Sequence, residues 1–320
     1  MNNKRPILSI CIPTYNRSNY LKQTLDSYVN NKAFDEEVEI VISDNASEDD
    51  TREMVSHYME LYPNIRYFRN DVNLVDKNMS LAMDRGSGHY LKLMNDNLLI
   101  TEEGLQYLKD SIKEEISNKT PILFTNGIIF NKKKPDCVRC NKFDDLVENI
   151  SYVVTAIMIL GSWKEDWDRV KDKQKYAELR LCQDDWIYQI MANKERMLLY
   201  TGSYCKYLVL DKKCRTGYNW FEVHVTNYYK ILQPYIDRGL VSEKALHRDR
   251  VVYLKNLNTQ IVMKYLYNII PEWQFDMSGA TAILWRHFYK EPLFYAMMLT
   301  LPLWGGYKVL RFFFYEKNRK

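Results

Sequence analysis

Three polar clusters in the first hundred residues each follow an apolar run, and each carries side chains able to hold a nucleotide or a cation. Asn95-Asp96-Asn97 comes directly after His89 to Met94. A carboxylate between two amides offers hard oxygen ligands to Mg2+ or Mn2+. A cation held there would act as a Lewis acid on a diphosphate leaving group. The same tripeptide is also good turn chemistry without any metal. Asp44, with Asn45 beside it, could accept from a base ring N–H, or it could simply cap a turn. Pro13-Thr14-Tyr15-Asn16-Arg17 could lay Tyr15 on a base and leave Arg17 near phosphate; a helix-entry loop with a surface arginine is the plain alternative. Gln183-Asp184-Asp185-Trp186 sets two neighbouring carboxylates where a helix would begin. If both were buried, repulsion would raise one pKa toward the working range of a general base. Taken alone, the pair reads as helix N-terminal stabilisation.

Weaker signals lie farther along. Lys213, Arg215, Tyr218 and Asn219 form a polar loop, with Gly217 as a flexible point. His224 could be a further metal ligand, an acceptor contact or an ordinary helix residue. Trp163 and Trp167 could stack on a sugar or fill a core. Six cysteines are spread widely, and Cys137 and Cys140 form a lone CxxC. Cys205 and Cys214 stand at the wrong spacing to complete a common zinc site, so free thiols are expected.

Alternating elements would position these clusters. Leu8 to Ile12, Val38 to Ile42, Ile65 to Phe68 and His89 to Met94 read as strands. Between them come helices capped at Ser18, opened at Ser47 and running from Asp76 to Arg85. That order implies right-handed crossovers and a mainly parallel sheet, whose ligands bind beyond the carboxyl ends of its strands. All three clusters sit at those ends. Farther on, Ile122 to Thr125, Ser151 to Leu160, Leu198 to Tyr200 and Tyr204 to Leu210 are expected as strands, and Lys132 to Cys140 as a loop. A helix is expected from Asp184 to Ala192. From Phe221 the pattern is nearly all helical, which places a soft boundary near residue 220.

Taken together, Ile10-Cys11-Ile12-Pro13-Thr14-Tyr15-Asn16-Arg17 and Val41-Ile42-Ser43-Asp44-Asn45-Ala46-Ser47-Glu48-Asp49 resemble the opening of family-2 glycosyltransferases with the GT-A fold. Asn73-Leu74-Val75-Asp76-Lys77-Asn78 is similar to that family's Asn-x-Gly stretch, with Leu74 where glycine is usual. Gly88-His89-Tyr90-Leu91 is similar to the strand before its metal motif. The resemblance is good over residues 7 to 103, weak to about 220, and fades beyond.

It implies an α/β, Rossmann-like GT-A domain over 1–220 and a helical acceptor or membrane-associating region over 221–320. The implied donor site comprises Pro13, Tyr15, Arg17, Asp44, Asn45, Asn73, Asn78, Asn95 and Asp96, with Tyr15 and Asp44 on a uracil or thymine. Asp96 would be the main ligand of Mn2+ or Mg2+, helped by Asn97 and His224. Asn95 replaces a usual acidic residue. Asp185, or its neighbour Asp184, would be the base of an inverting transfer.

Composition narrows the remaining classes. Hydrophobic residues at 46% and charged residues at 27% exclude a disordered chain. A net charge of +4 is too mild to argue for nucleic acid. Met1 to Arg5 lead straight into the first strand with no signal-peptide core, so a cytosolic location is expected. Pro292 to Tyr307 carries no charge and is followed by Lys308, Arg311, Lys317, Arg319 and Lys320 among aromatics. That pattern suits a helix lying on the anionic inner face of the cell membrane, or else a packed C-terminal helix. The expected partners are a nucleotide-sugar donor and a glycan or lipid-linked glycan acceptor. A nucleotidyltransferase and a non-catalytic, membrane-docked scaffold are the rival readings; the first lacks a glycine-rich loop between Pro13 and Arg17.

Overall fold

Near-continuous apolar runs become strands covered on both faces, as a parallel sheet requires. The computed structural model, which describes residues 5–130, 135–208, 216–267 and 274–299, begins with β1 (Leu8–Thr14), α1 (Ser18–Val29), β2 (Val38–Asp44), α2 (Thr51–Leu61), β3 (Ile65–Arg69), α3 (Lys77–Asp84) and β4 (Tyr90–Leu93). Then follow β5 (Leu98–Ile100), α4 (Gly104–Glu115), β6 (Ile122–Phe124), β7 (Cys137–Cys140), α5 (Phe143–Ile150), β8 (Gly161–Trp163), α6 (Lys164–Trp167) and α7 (Cys182–Met191). The remainder comprises β9 (Met197–Tyr200), β10 (Cys205–Tyr207), β11 (Thr216–Asn219), a π-helical segment (Glu222–Asn227), α8 (Tyr228–Asp237), α9 (Glu243–Tyr267), β12 (Gln274–Asp276) and α10 (Ala280–Phe288).

The main sheet has the order β3-β2-β1-β4-β8; its first four strands are parallel and β8 is antiparallel. The order reverses between β1 and β4, which opens a crevice beyond Thr14 and Leu93. Gly88 sets β4 against β1, because a Cβ there would lie 2.8 Å from the Ser9 amide nitrogen. A second sheet, β6-β9-β7, and the pairs β10-β5 and β11-β12 account for the other strands among the described residues. One hydrophobic cluster runs from Ile7 to Met297, so the C-terminal helices share a core with the sheet.

Several expectations are corrected. Ser151 to Leu160 is not a strand but two 3-10 turns, Ser151–Thr155 and Ile157–Ile159. A short apolar run does not distinguish a buried strand from any other buried segment. Here Ser151 takes φ +45° and gives its hydroxyl to Asp249 of α9, a tertiary tie the sequence does not announce. Ser18 caps nothing: Arg17 is the N-cap, while the Ser18 hydroxyl donates to Asp50 and its amide to Asp49. Likewise α2 opens at Thr51, and Ser47 instead accepts the Asn16 amide at 2.9 Å. The expected loop contains β7, whose two-residue period turns Cys137 outward and Cys140 inward. Val209 and Leu210, at the end of the expected last strand, lie outside the described residues, as do Lys213, Cys214, Arg215 and the tail from 300. Among the described residues no helix is long and apolar enough to cross a membrane.

Candidate active site

The loops after β1, β2 and β4 meet the start of α7 and the π-helical segment around a cleft of about 530 Å³. Its walls include Pro13, Tyr15, Arg17, Asn45, Asn73, Asn78, Asn95, Asp96 and His224, nine residues expected from sequence. Asp96 forms the floor. Its carboxylate accepts from Thr14 Oγ1 at 3.0 Å and from an Arg17 guanidinium nitrogen at 3.1 Å. Burial raises its pKa, and Arg17 partly offsets this. Thr24 of α1 donates to its backbone carbonyl at 2.9 Å, fixing the turn from beneath.

One wall is an amide network. Asn78 donates to the Ser43 carbonyl at 2.7 Å and accepts from the Ser43 hydroxyl at 2.6 Å and from Asn70 at 2.9 Å. Asn45 donates to Asn73 at 2.7 Å and accepts from the Leu74 amide at 2.8 Å. These bonds force the chain through Val75 at φ +51°, so Val75, not Leu74, holds the conformation that glycine favours.

Asp44 stands behind this wall rather than in the cleft. It is fully buried, with one oxygen accepting from the Ser47 amide at 2.9 Å and the other from Tyr67 at 2.5 Å. Asn97 also points elsewhere, donating to the Leu208 carbonyl at 3.2 Å. Asp185 accepts from Tyr235 of α8 at 3.0 Å and from Gln189 at 2.7 Å, which ties α7 to α8. Asp184 is fully buried beside it; neither of its oxygens has a hydrogen-bond partner. Burial pushes its pKa well above the ordinary carboxylate value, and Asp185 adds to the rise. Neither Asp184 nor Asp185 lines the cleft, whereas Gln183 does.

Sequence reasoning missed Asp76 and Arg180. Asp76 lines the cleft at the start of α3, with a pKa raised by burial and held back by Arg180. Arg180, at φ +62°, reaches the same cleft and lies 5.4 Å from the Tyr218 ring centroid. The only sequence signal for Arg180 was a cation just before the acidic helix start. His224 packs on Trp220 at 4.6 Å, and burial lowers its pKa to about 4, so it faces the cleft as a neutral imidazole. Among the weaker candidates, Tyr218 reaches the cleft. Asn219 instead bonds the Ser278 carbonyl at 2.8 Å, and Trp163 and Trp167 are buried in the core.

One carboxylate (Asp96), one amide (Asn95) and one neutral imidazole (His224) suit a hard or borderline divalent cation. No three His, Cys, Asp or Glu side chains gather among the described residues. Ligand and water oxygens would therefore have to complete the shell. Arg17 now neutralises Asp96 and would compete with such an ion.

Residues 9–135 match the model of Glycosyl transferase family 2. Over 105 residues the chain is 38% identical to abequosyltransferase RfbV of Salmonella typhimurium, a match covering 32% of each protein. Over 111 residues it is 29% identical to the GalNAc(5)-diNAcBac-PP-undecaprenol beta-1,3-glucosyltransferase of Campylobacter jejuni, covering 34% of this chain and 35% of that one. The matched stretch thus spans about a third of the length of these curated relatives. Among solved structures, S. aureus TarS 1-349 in complex with UDP superposes with a TM-score of 0.57, covering 83% of this chain and 76% of that one. At 16% identity that likeness establishes the GT-A fold.

Proposed function

We propose that this chain, whose residues 9–135 belong to Glycosyl transferase family 2, moves a sugar from a nucleoside-diphosphate donor, UDP or dTDP by preference, to a glycan acceptor. The observation that carries this reading is the cleft at the sheet's switch point, where Asp96, Arg17 and Arg180 meet the Asn45–Asn73 wall. The amide wall suits a nucleoside, and the two arginines suit its diphosphate. Mn2+ or Mg2+ held by Asp96, Asn95 and His224 would neutralise charge on the diphosphate.

In an inverting transfer the acceptor oxygen bonds to the anomeric carbon as the bond to the diphosphate oxygen breaks. The electron pair leaves on the diphosphate, beside Arg17 and Arg180. The acceptor's proton goes to a carboxylate within hydrogen-bond reach. Asp76 is one assignment, because it lines the cleft with a pKa raised by burial. A second assignment, Asp184, is favoured by its two unpartnered oxygens, but it requires the start of α7 to open. Asp185 is the weaker of the expected pair, because both its oxygens are engaged.

The name of the Campylobacter jejuni relative, a glucosyltransferase of GalNAc(5)-diNAcBac-PP-undecaprenol, favours a lipid-linked acceptor, which would be met at the inner face of the cell membrane. Thermal unfolding with UDP, dTDP, GDP and CMP, each with and without Mn2+, tests the donor site. A nucleotide that binds only the folded chain adds about 2.7 kcal/mol at a hundredfold excess over its Kd. A UDP or dTDP shift lost in Asp96→Ala supports the reading. No shift with any nucleotide refutes it and favours the scaffold. Single-turnover transfer by Asp76→Asn and Asp184→Asn then assigns the base, with nucleotide binding retained in both.

A further inference from the structure

Two irregular segments complete the cleft opposite the strand-end loops. The 3-10 turns supply Thr155 and Ile157, and the π-helical segment supplies Val223 and His224. Short 3-10 turns and π-helical turns have poorer internal hydrogen bonding than an α-helix, so the rest of the fold must hold them in place.

One residue reaches both segments. Asp249 of α9 is fully buried, and its carboxylate accepts three hydroxyls. Ser151, the first residue of the 3-10 turns, donates at 2.5 Å, Tyr228 at 2.8 Å and Tyr229 at 2.9 Å. The two tyrosines directly follow the π-helical segment. Ser151 takes φ +45°, a conformation that a residue other than glycine keeps only where its surroundings impose it. The other end of the turns is held separately, since Lys92 of β4 donates to the Met158 and Leu160 carbonyls and Tyr204 to the Met158 carbonyl. Thr155 and Ile157 thus lie between a buried anion and a buried cation. Asp249 itself is not part of the cleft's lining.

A buried carboxylate is a weak source of stability, because apolar groups of the same shape do as well when its partners are replaced along with it. What it supplies is direction: charge-assisted hydrogen bonds fix three hydroxyls at set distances. We propose that Asp249 is a positioning residue for the cleft, setting the turn that carries Thr155 and Ile157 through Ser151, and the π-helical segment that carries Val223 and His224 through Tyr228 and Tyr229. Reading this side as the one that meets the donor's sugar and the acceptor rests on the glycosyl-transfer proposal. The wall of Asn45, Asn73 and Asn78 is tied to Ser43, Asn70 and the Leu74 amide, and shares none of these bonds.

Hydrogen–deuterium exchange on the full chain tests the proposal, with nucleotide release measured on the same samples. The donor is whichever of UDP-glucose, UDP-N-acetylglucosamine and dTDP-rhamnose the unsubstituted chain turns over fastest. Two variants are compared. Asp249→Asn keeps one acceptor oxygen. An apolar set, Asp249→Leu with Ser151→Ala, Tyr228→Phe and Tyr229→Phe, removes every polar group together and should leave the unfolding midpoint nearly unchanged. In the apolar set, amides of residues 151–157 and 222–229 should exchange at least about tenfold faster, while those of β1, β2 and β4 stay as they are. The kcat should fall by about tenfold or more with the donor KM within about twofold, and Asp249→Asn should recover most of that loss. Faster exchange spread across the strands would mean a general loss of stability and would overturn the proposal. Unchanged exchange in the two segments, or an unchanged kcat, would overturn it too. The UDP-induced thermal shift separates this proposal from the donor reading. If the unsubstituted chain shows no shift and no turnover, the donor reading fails and exchange alone decides the role of Asp249.

Discussion

The wall of the cleft at the sheet's switch point and the interior behind α7 differ in how their polar groups are satisfied. At the wall, Ser43, Asn45, Asn70, Asn73 and Asn78 bond one another and the backbone, leaving a rigid surface. Behind α7, Asp184 has no partner, and Thr226 and His287 keep orphan atoms. Asp249 accepts three hydroxyls, from Ser151, Tyr228 and Tyr229, yet burial still raises its pKa to about 6. A satisfied network fixes geometry at little cost, whereas a buried carboxylate without donors destabilises the fold. The contrast sets a rigid wall, where the proposed nucleotide would sit, against an interior with fewer satisfied polar groups.

The largest effect expected is on the floor. Asp96→Ala strands Arg17 and removes the carboxylate proposed as the main oxygen ligand, so the proposed transfer from UDP- or dTDP-sugar should fall on the order of 10²–10³-fold in single-turnover assays. A fall below tenfold would put the charge chemistry elsewhere. Next, Asn78→Ala should cost about 2–4 kcal/mol, because Asn70 and both Ser43 oxygens lose partners in a buried site. Denaturant unfolding reads this, and a cost near zero would show that the wall is not held by its network.

Asp184→Asn probes the unsatisfied side. A carboxyl whose folded pKa is raised stabilises the fold most below its unfolded value near 4, and that contribution is lost as pH rises toward the folded value. The unsubstituted chain should therefore lose stability on raising pH above about 4, part of it from Asp249 up to about 6. In the variant the dependence should flatten by up to about 1.4 kcal/mol per pH unit. Parallel curves would mean that Asp184 is not buried as a lone acid. The smallest effect belongs to Val75→Gly. It relieves a β-branched residue at φ +51° but loosens the unfolded chain, for a net gain below about 1 kcal/mol. A clear loss of stability there would mean that the exposed Val75 side chain contributes packing.

Much of this was legible in the residues. The four parallel strands followed from short β-branched runs, and the cleft followed from polar residues at their carboxyl ends, because a parallel sheet has only one end where loops converge. Asp96, Arg17, Asn45 and Asn95 were read from residue type and position after a strand, whereas Asn73 and Asn78 came only from the family resemblance; all six line the cleft. The acidic pair Asp184-Asp185 was located as a helix start, yet its orientation was not, since four adjacent residues of a helix turn face all its sides. Arg180 and Asp76 carried local marks of helix starts but none of a site, and they reach the cleft only through a left-handed turn and the packing of α3.

The sequence by itself determined the order of elements and which end of the sheet holds polar chemistry, because periodicity and turn residues act within a few positions. Only the tertiary structure decided that Ser151 to Leu160 coils rather than extends, and that Asp44 and Asn97 turn away. The partners that decide these side chains lie well along the chain, 23 residues away for Tyr67 with Asp44, 98 for Asp249 with Ser151 and 111 for Leu208 with Asn97, and no local pattern encodes contacts so far apart in the chain.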